Sequence, residues 1–451
     1  MSLPAPAPAP AKEISVDRSR EGDVFQKTLS SFIHPRGRHL IERTRSLGDW
    51  MDGRTALNTW PYSRVLETAP STTAKLASRD NTALEAINFA AQDYLGLSSH
   101  PAIHVAVLEA LREYGPHSAS SPTLIGNSLL SQKLERSLAD LLETEHVLLF
   151  PTGWAAGFGA IAGLVRPDDH IVMDQLAHAC LKQGAMAATR KIYSVRHNDL
   201  PSFERRLQAI RAKDAENSIL VITEGIFSMD SDSPDIFTLQ GICRDLDAVL
   251  LVDVAHDLGA SGPSGTGQIG IQNVLGHVDL VMGSFSKSLA SNGGFLASHG
   301  RSVKQFLSWF GGPHIFSNAI SPLQAAVAHA ALQIVRSREG DLLRRQALYN
   351  IKRLRASFER RGVECLGQPS NVVPVSVGDE TLAKYTSGLL ERNGLLANLV
   401  EFPGVPRGKS RFRFQVMATH TPEQIDDAVE VFCACLDVGR EMAAERSLKA
   451  R

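Results

Sequence analysis

The chain has 451 residues, with 47 basic against 48 acidic side chains and a formal net charge of −1. Hydrophobic residues at 43% and charged residues at 21% suit a globular protein with room for two or three domains; they exclude a fibrous, collagen-like or broadly disordered chain. The charge balance supplies no electrostatic reason to expect nucleic acid or a membrane surface as a partner.

The N-terminus reads MSLPAPAPAPAKE, a Pro-Ala alternation expected to be extended rather than packed. It lacks the basic and apolar regions of a secretory signal. The longest glycine-tolerant apolar run, Gly153 to Val165, spans 13 residues, and a membrane helix needs roughly 20, so no membrane span is expected. Cys180, Cys243, Cys365, Cys433 and Cys435 are odd in number and form no CxxC pair. That argues against a disulfide framework or a structural zinc site, no metal is expected, and a reducing, cytoplasmic setting fits.

Residues 1–85 read as an irregular N-terminal extension with one or two short helices. From Ile87, INFAAQDYLGL reads as a strand and turn. HPAIHVAVLEALREYG and SLLSQKLERSLADLLETE then carry the apolar spacing of amphipathic helices. An alternation follows. HVLLF (146–150), HIVMD (170–174), KIYSVR (191–196), SILVIT (218–223), AVLLVD (248–253) and DLVMG (279–283) are apolar strand candidates separated by helical or loop sequence. Continuous rather than alternating apolar strands are covered on both faces, which predicts an α/β fold with a mostly parallel central sheet over residues 86–339. Helical sequence from Pro322 to Arg361 leads out of this layer. VVPVSV (372–377), LLANLV (395–400), RFRFQVM (411–417) and a helix from Thr421 predict a smaller C-terminal α+β domain over 340–451.

Ligands of open α/β sheets sit beyond the carboxyl ends of the strands. HVLLF runs into Pro151-Thr152-Gly153-Trp154, HIVMD ends at Asp174 with His178 four residues on, and SILVIT ends at Glu224 and leads to Ser228. AVLLVD ends at Asp253 near His256, and DLVMG ends at Ser284-Phe285-Ser286-Lys287. Lys287, just after a buried strand, would have its amine pKa depressed by desolvation and so become a Schiff-base nucleophile; alone, it also fits a solvated lysine at a helix start. Asp253, thirty-four residues earlier, suits a carboxylate that keeps a pyridinium nitrogen protonated, or a simple turn cap. Gly153-Trp154 opens a helix directly after a strand and could hold a phosphate on its free N–H groups.

In combination, these segments resemble the α-oxoamine synthases, a branch of the fold-type I pyridoxal-phosphate enzymes. The resemblance runs from about Phe89 to Phe432 and rests on FAAQDYLGLSSHP, FPTGWAAG, DQLAHAC, RHNDL, EGIFSMDSD, VDVAHDLG, GSFSKSLASNGG, HIFSNAISP and PGVPRGKSRFRFQVMATHTPEQI. It implies pyridoxal 5′-phosphate as cofactor and condensation of an amino acid with an acyl thioester, on coenzyme A or an acyl-carrier protein, with decarboxylation to an α-aminoketone. Carried across by position, Lys287 resembles the Schiff-base lysine and acid/base, His178 the imidazole stacked on the cofactor, and Asp253 the partner of the pyridine nitrogen. His256 and Ser228 resemble the groups near the phenolic oxygen. Gly153, Trp154 and Ser284 resemble the phosphate cradle, and Arg413 the grip on the substrate carboxylate. Ser317 matches a hydroxyl supplied by a neighbouring subunit, which implies a homodimer with a shared site. Another fold-type I reaction, transamination or retro-aldol cleavage, and a non-catalytic partner subunit are the alternatives. The chain departs from the family at Gln92, at SASSPTLIGNS (118–128), at Asp257 and at Glu401. Glu401 reads as an exposed loop carboxylate or as a group facing a cationic substrate side chain.

Overall fold

The computed structural model describes residues 21–77 and 84–449; the Pro-Ala segment lies outside them. Strands β1 (Thr73–Leu76) and β2 (Leu84–Asn88) pair antiparallel, ahead of the large sheet. That sheet comprises β3 (His146–Phe150), β4 (His170–Asp174), β5 (Ile192–Val195), β6 (Ile219–Glu224), β7 (Val249–Asp253), β8 (Leu280–Ser284) and β9 (Gly294–Ser298). Its order is β3-β9-β8-β7-β6-β4-β5. Only β9 runs antiparallel to its neighbours, so the mostly parallel reading holds. Every residue of β4 and β6 is buried, as expected for strands with helices on both faces. Two apolar clusters lie on the two sides of the sheet: Val172, Val221 and Val252 belong to one, Ile171, Ile222 and Leu251 to the other.

The helix Pro322–Arg336 packs on Pro101–Tyr114 and Leu129–Leu142 within this large unit, and Arg338–Arg360 follows it outward. Strands β10 (Val372–Gly378), β11 (Leu395–Leu396), β12 (Asn398–Val400) and β13 (Ser410–Gln415) complete the chain, before the closing helix Pro422–Lys449. LLANLV, expected as one strand, divides between two sheets: β11 joins β2 in parallel and β12 pairs with β13. Ala397 is the break. The β1-β2-β11 sheet therefore joins residues before position 85 to the C-terminal region.

Glu401 requires a correction. It is neither an exposed loop carboxylate nor a group facing substrate. Its Oε1 accepts a hydrogen bond from Arg54 Nη1 at 2.6 Å, and its Oε2 lies 3.8 Å from Lys384 Nζ, with both cations fully buried. Arg54 sits in the helix Arg45–Ala56, with its guanidinium 5.1 Å from the Trp50 ring and 5.4 Å from the Trp60 ring. Lys384 Nζ also donates to the Phe25 and Lys27 carbonyls. These contacts clamp the N-terminal segment onto the C-terminal unit.

In β13 the side-chain alternation sends Phe412 and Phe414 into an aromatic core with Phe358 and Phe432. Arg411 and Arg413 point the other way. His420 stacks on Phe89 at 4.0 Å, accepts from the Met417 N–H at Nδ1 and donates to the Asn88 carbonyl at Nε2. Burial pulls its pKa down to about 4, against weaker support from those backbone groups. A histidine held neutral by burial contributes stability that is complete above its unfolded value near 6.5 and is lost as pH falls toward 4. Acidification from pH 7 to 4.5 should therefore cost on the order of 2–3 kcal/mol at this site alone. Thermal melts of wild type and His420→Gln across that range check it, with the variant showing the smaller pH dependence.

Candidate active site

The parallel register sets the carboxyl ends of β4, β6, β7 and β8 along one rim, with Asp174, Glu224, Asp253 and Ser284 as their last residues. Glu224 sits directly opposite Asp253 in the β6–β7 ladder, and the Gly225 N–H donates to the Asp253 carbonyl at 2.8 Å. A cavity of about 270 Å³ opens over this rim. It is lined by Gly153, Trp154, His178, Asp253, His256, Ser284 and Lys287 among the residues expected from sequence, together with Glu224.

At one end the helix Gly153–Leu164 begins, capped by Thr152, whose Oγ1 accepts from the Ala155 N–H at 3.0 Å. The N–H groups of Gly153 and Trp154, in the first turn, have no intrahelical acceptor and suit an anion. A Cβ at position 153 would lie 2.4 Å from Ser284 Cβ, so only glycine lets the helix start approach β8 this closely. The Trp154 ring stacks on Phe158 at 5.0 Å, which leaves its backbone N–H as its contribution to the cavity.

Opposite charges meet at the other end. Burial lowers the Lys287 pKa, Asp253 and Glu224 pull it back, and Arg413 adds to the lowering. Burial raises Asp253, while Lys287 and the Ala255 N–H, 2.9 Å away, hold it down. Glu224 is driven well above the carboxylate range by burial and by Asp253. Two carboxyls this close do not both ionise readily, so Asp253, the better supported, carries the charge and Glu224 the proton. Glu224 Oε1 accepts the His178 backbone N–H at 2.5 Å. Although His178 stays partly open to solvent, the surrounding protein lowers its pKa, helped by Lys287 and Arg413 and opposed by Asp253. Its Nδ1 faces the Cys180 N–H as the cap of the next helix, which leaves Nε2 to carry the hydrogen in the neutral ring.

His256 is lowered well below 6.5 by burial and by neighbouring positive charge. Its Nδ1 lies 2.8 Å from the hydroxyl of buried Tyr94. Tyr94 was not singled out from sequence: DYLGL reads as a turn, and nothing local says that its hydroxyl crosses to a residue 162 positions away. Asp257 is buried; burial raises its pKa to about 7, although it accepts the Gln268 N–H at 2.6 Å.

Arg413, Ser228 and Ser317 do not line this cavity. Arg413 nevertheless acts electrostatically on Lys287, His178 and His256. It is buried, and its Nε and Nη2, the edge used for two-point carboxylate contacts, have no protein partner. Ser228 lies in the loop beside Met229, whose Sδ is 3.7 Å from Arg413 Nη1. Ser317 donates to the Pro313 carbonyl of its own chain at 2.6 Å.

The residues fit pyridoxal phosphate: a helix start closed to any side chain at Gly153, an amine of lowered pKa and a buried carboxyl border one cavity. Residues 85–432 match the family model described as aminotransferase class I and II. The 8-amino-7-oxononanoate synthase of Thermoanaerobacter pseudethanolicus is 33% identical over 348 residues, covering 77% of this chain and 87% of that protein. The 2-amino-3-ketobutyrate coenzyme A ligase of Escherichia coli is 33% identical over 351 residues, covering 77% and 86%. Among solved structures, a serine palmitoyltransferase from S. paucimobilis holding a pyridoxal-phosphate adduct superposes with a TM-score of 0.83 at 26% identity, covering 89% of this chain and 99% of that one. With the cavity chemistry and these relatives in agreement, the chain belongs to the aminotransferase class I and II family, in its α-oxoamine synthase branch, and is a pyridoxal-phosphate-dependent acyltransferase.

Proposed function

We propose that the cavity residues divide the work of condensing an amino acid with an acyl thioester. When bound, pyridoxal phosphate supplies an electron sink for the pair released at the amino acid α-carbon. Lys287 Nζ would hold the cofactor and, once free, would take the α-proton of the amino acid. Burial lowers the Lys287 pKa, against the pull of Asp253 and Glu224, which favours the neutral amine that the task needs. Asp253 would keep the cofactor's nitrogen protonated. His178 and His256, the latter fixed by Tyr94, would bound the cofactor, with Ser228 from the neighbouring loop. The Gly153 and Trp154 N–H groups and the Ser284 hydroxyl would receive its phosphate. Arg413 receives the substrate carboxylate on Nε and Nη2. The α-carbon bonds to the thioester carbonyl carbon, the thiolate leaves, and the amino acid carboxyl departs as carbon dioxide.

The observation that carries this reading is the meeting of Lys287, Asp253 and the Gly153 helix start in one cavity. The test is stoichiometry. With a panel of amino acids and either acyl-coenzyme A or acyl-carrier-protein donors, one carbon dioxide and one free thiol should appear per turnover. A keto acid without thiol release would mean transamination and overturn the proposal.

We assign a homodimer as the working form, with Ser317 of each copy completing the other's site. Leu124, Ile125, Trp309 and Phe316 are 61–87% exposed, and large apolar side chains of this kind are what a subunit contact would cover. A solution mass of twice the chain is expected; a monomer at full activity rejects the shared site. The division into extension (1–85), cofactor unit (86–339) and C-terminal unit (340–451) organises these roles. Five free cysteines, four of them buried, support a cytoplasmic setting. Among the described residues, no helix is long and apolar enough to cross a membrane.

A further inference from the structure

RHNDL was part of the resemblance but received no role. His197, in this segment just past β5, bridges two carboxylates: Nδ1 lies 3.0 Å from Asp174 Oδ1 and Nε2 lies 2.8 Å from Asp232 Oδ2. The Asn198 N–H and side-chain amide follow it onto the same two acids at 2.9 and 3.1 Å. The Phe227 ring meets the imidazole edge-on at 4.5 Å. Both ring nitrogens facing carboxylates require both to carry hydrogen, hence an imidazolium. Burial opposes that charge, but the two hydrogen-bonded acids outweigh it and carry the pKa to about 10.

The two acids anchor two different segments, the turn that leads to His178 and the loop that carries Ser228. Asp174 ends β4 and fixes the turn into His178, accepting the Leu176 N–H at 2.7 Å. Asp232 closes the loop 227–232, where its carbonyl accepts the Phe227 N–H at 2.9 Å. That loop carries Ser228. It also carries Met229 and Asp230, whose backbone carbonyl and carboxylate, respectively, receive Arg411 Nη1 at 3.0 and 2.7 Å, next to Arg413.

We propose that His197 is a positioning residue, a charged bridge that sets the distance between the His178 wall and the Ser228 loop and so shapes the seat of the cofactor. Without the second N–H, Asp232 keeps only the Asn198 amide from this segment, and the loop depends more on its contacts to the C-terminal unit. The inference rests on the reading that Ser228 and His178 face pyridoxal phosphate.

The test uses the full chain and pyridoxal 5′-phosphate itself as the probe. Asp232→Ala and His197→Asn should each raise the cofactor dissociation constant about tenfold, and the double variant should add little to either, as expected for residues acting as one unit. Amide exchange over 227–232 should quicken in the cofactor-free variants, and Asp232→Glu, which keeps the charge, should restore binding. If His197→Asn fails to fold, Asp232→Ala, at a partly exposed carboxylate, carries the test alone. Unchanged cofactor affinity and unchanged exchange, whatever happens to the melting temperature, overturn the proposal: a merely structural bridge would lower stability and leave both untouched. A wild type that forms no visible band with the cofactor sinks the site reading and this inference together, whereas normal binding by wild type and variants alike sinks the inference only.

Discussion

The Lys287→Ala protein is expected to lose the visible absorbance of its bound cofactor and to turn over at least about a thousandfold more slowly, since one amine supplies both the tether and the proton transfer. The effect is large because the geometry offers no substitute. Among the described residues Lys287 is the only lysine lining the cavity, and the neighbouring imidazoles have lowered pKa values and stand at other positions on the rim. Its melting temperature should change little, because removal of a desolvated amine leaves no unpaired partner beyond Asp253, which can protonate. Absorbance of the purified variant, steady-state rates and a thermal melt check the three statements. Retained absorbance with normal turnover would remove Lys287 from the mechanism.

Breaking the buried pair at the base of the C-terminal unit should have the largest effect on stability. Arg54→Ala leaves Glu401, whose side chain is 1% exposed, with only Lys384 Nζ at 3.8 Å. Removing one member of a buried pair typically costs about 3–5 kcal/mol, which for a chain of this size lowers the melting point by roughly 3–5 °C. The loss of Arg54 packing between Trp50 and Trp60 acts in the same direction. Replacing both charges, Arg54→Met with Glu401→Leu, should cost less, because no carboxylate is left buried without its partner and Lys384, whose pKa burial already lowers to about 8, keeps the Phe25 and Lys27 carbonyls and can shed its proton. Denaturant or thermal unfolding of the single and double variants measures the difference; equal losses would show that packing, not charge, holds the N-terminal segment. Glu401 also begins the connection that leads into β13. Loosening it should weaken amino acid binding through Arg413 before it affects the cofactor.

The parallel sheet and its catalytic rim were legible because each buried strand is a continuous apolar run ended by a polar residue. Asp174, Glu224, Asp253 and Ser284 could be found from that local contrast alone. β9 was not legible as a strand: GFLAS is only five residues long, starts with a glycine and carries no β-branched residue. β1, TAKL, is four residues with a lysine in it. LLANLV looked like one strand because apolar spacing records burial, not which sheet does the burying.

What the amino-acid order determined by itself was the α/β layering, the chain order of the polar residues that end the strands, and the glycine at 153 that admits a close helix start. These follow from short-range steric and solvation preferences. Which charges are paired was decided only by the folded chain. Arg54 meets Glu401 across 347 positions and Tyr94 meets His256 across 162, while His197 faces Asp174 and Asp232 from neighbouring strand ends. An isolated glutamate or histidine in sequence looks the same whether exposed or desolvated, and desolvation, which decides its charge and its use, depends on what long-range packing places around it.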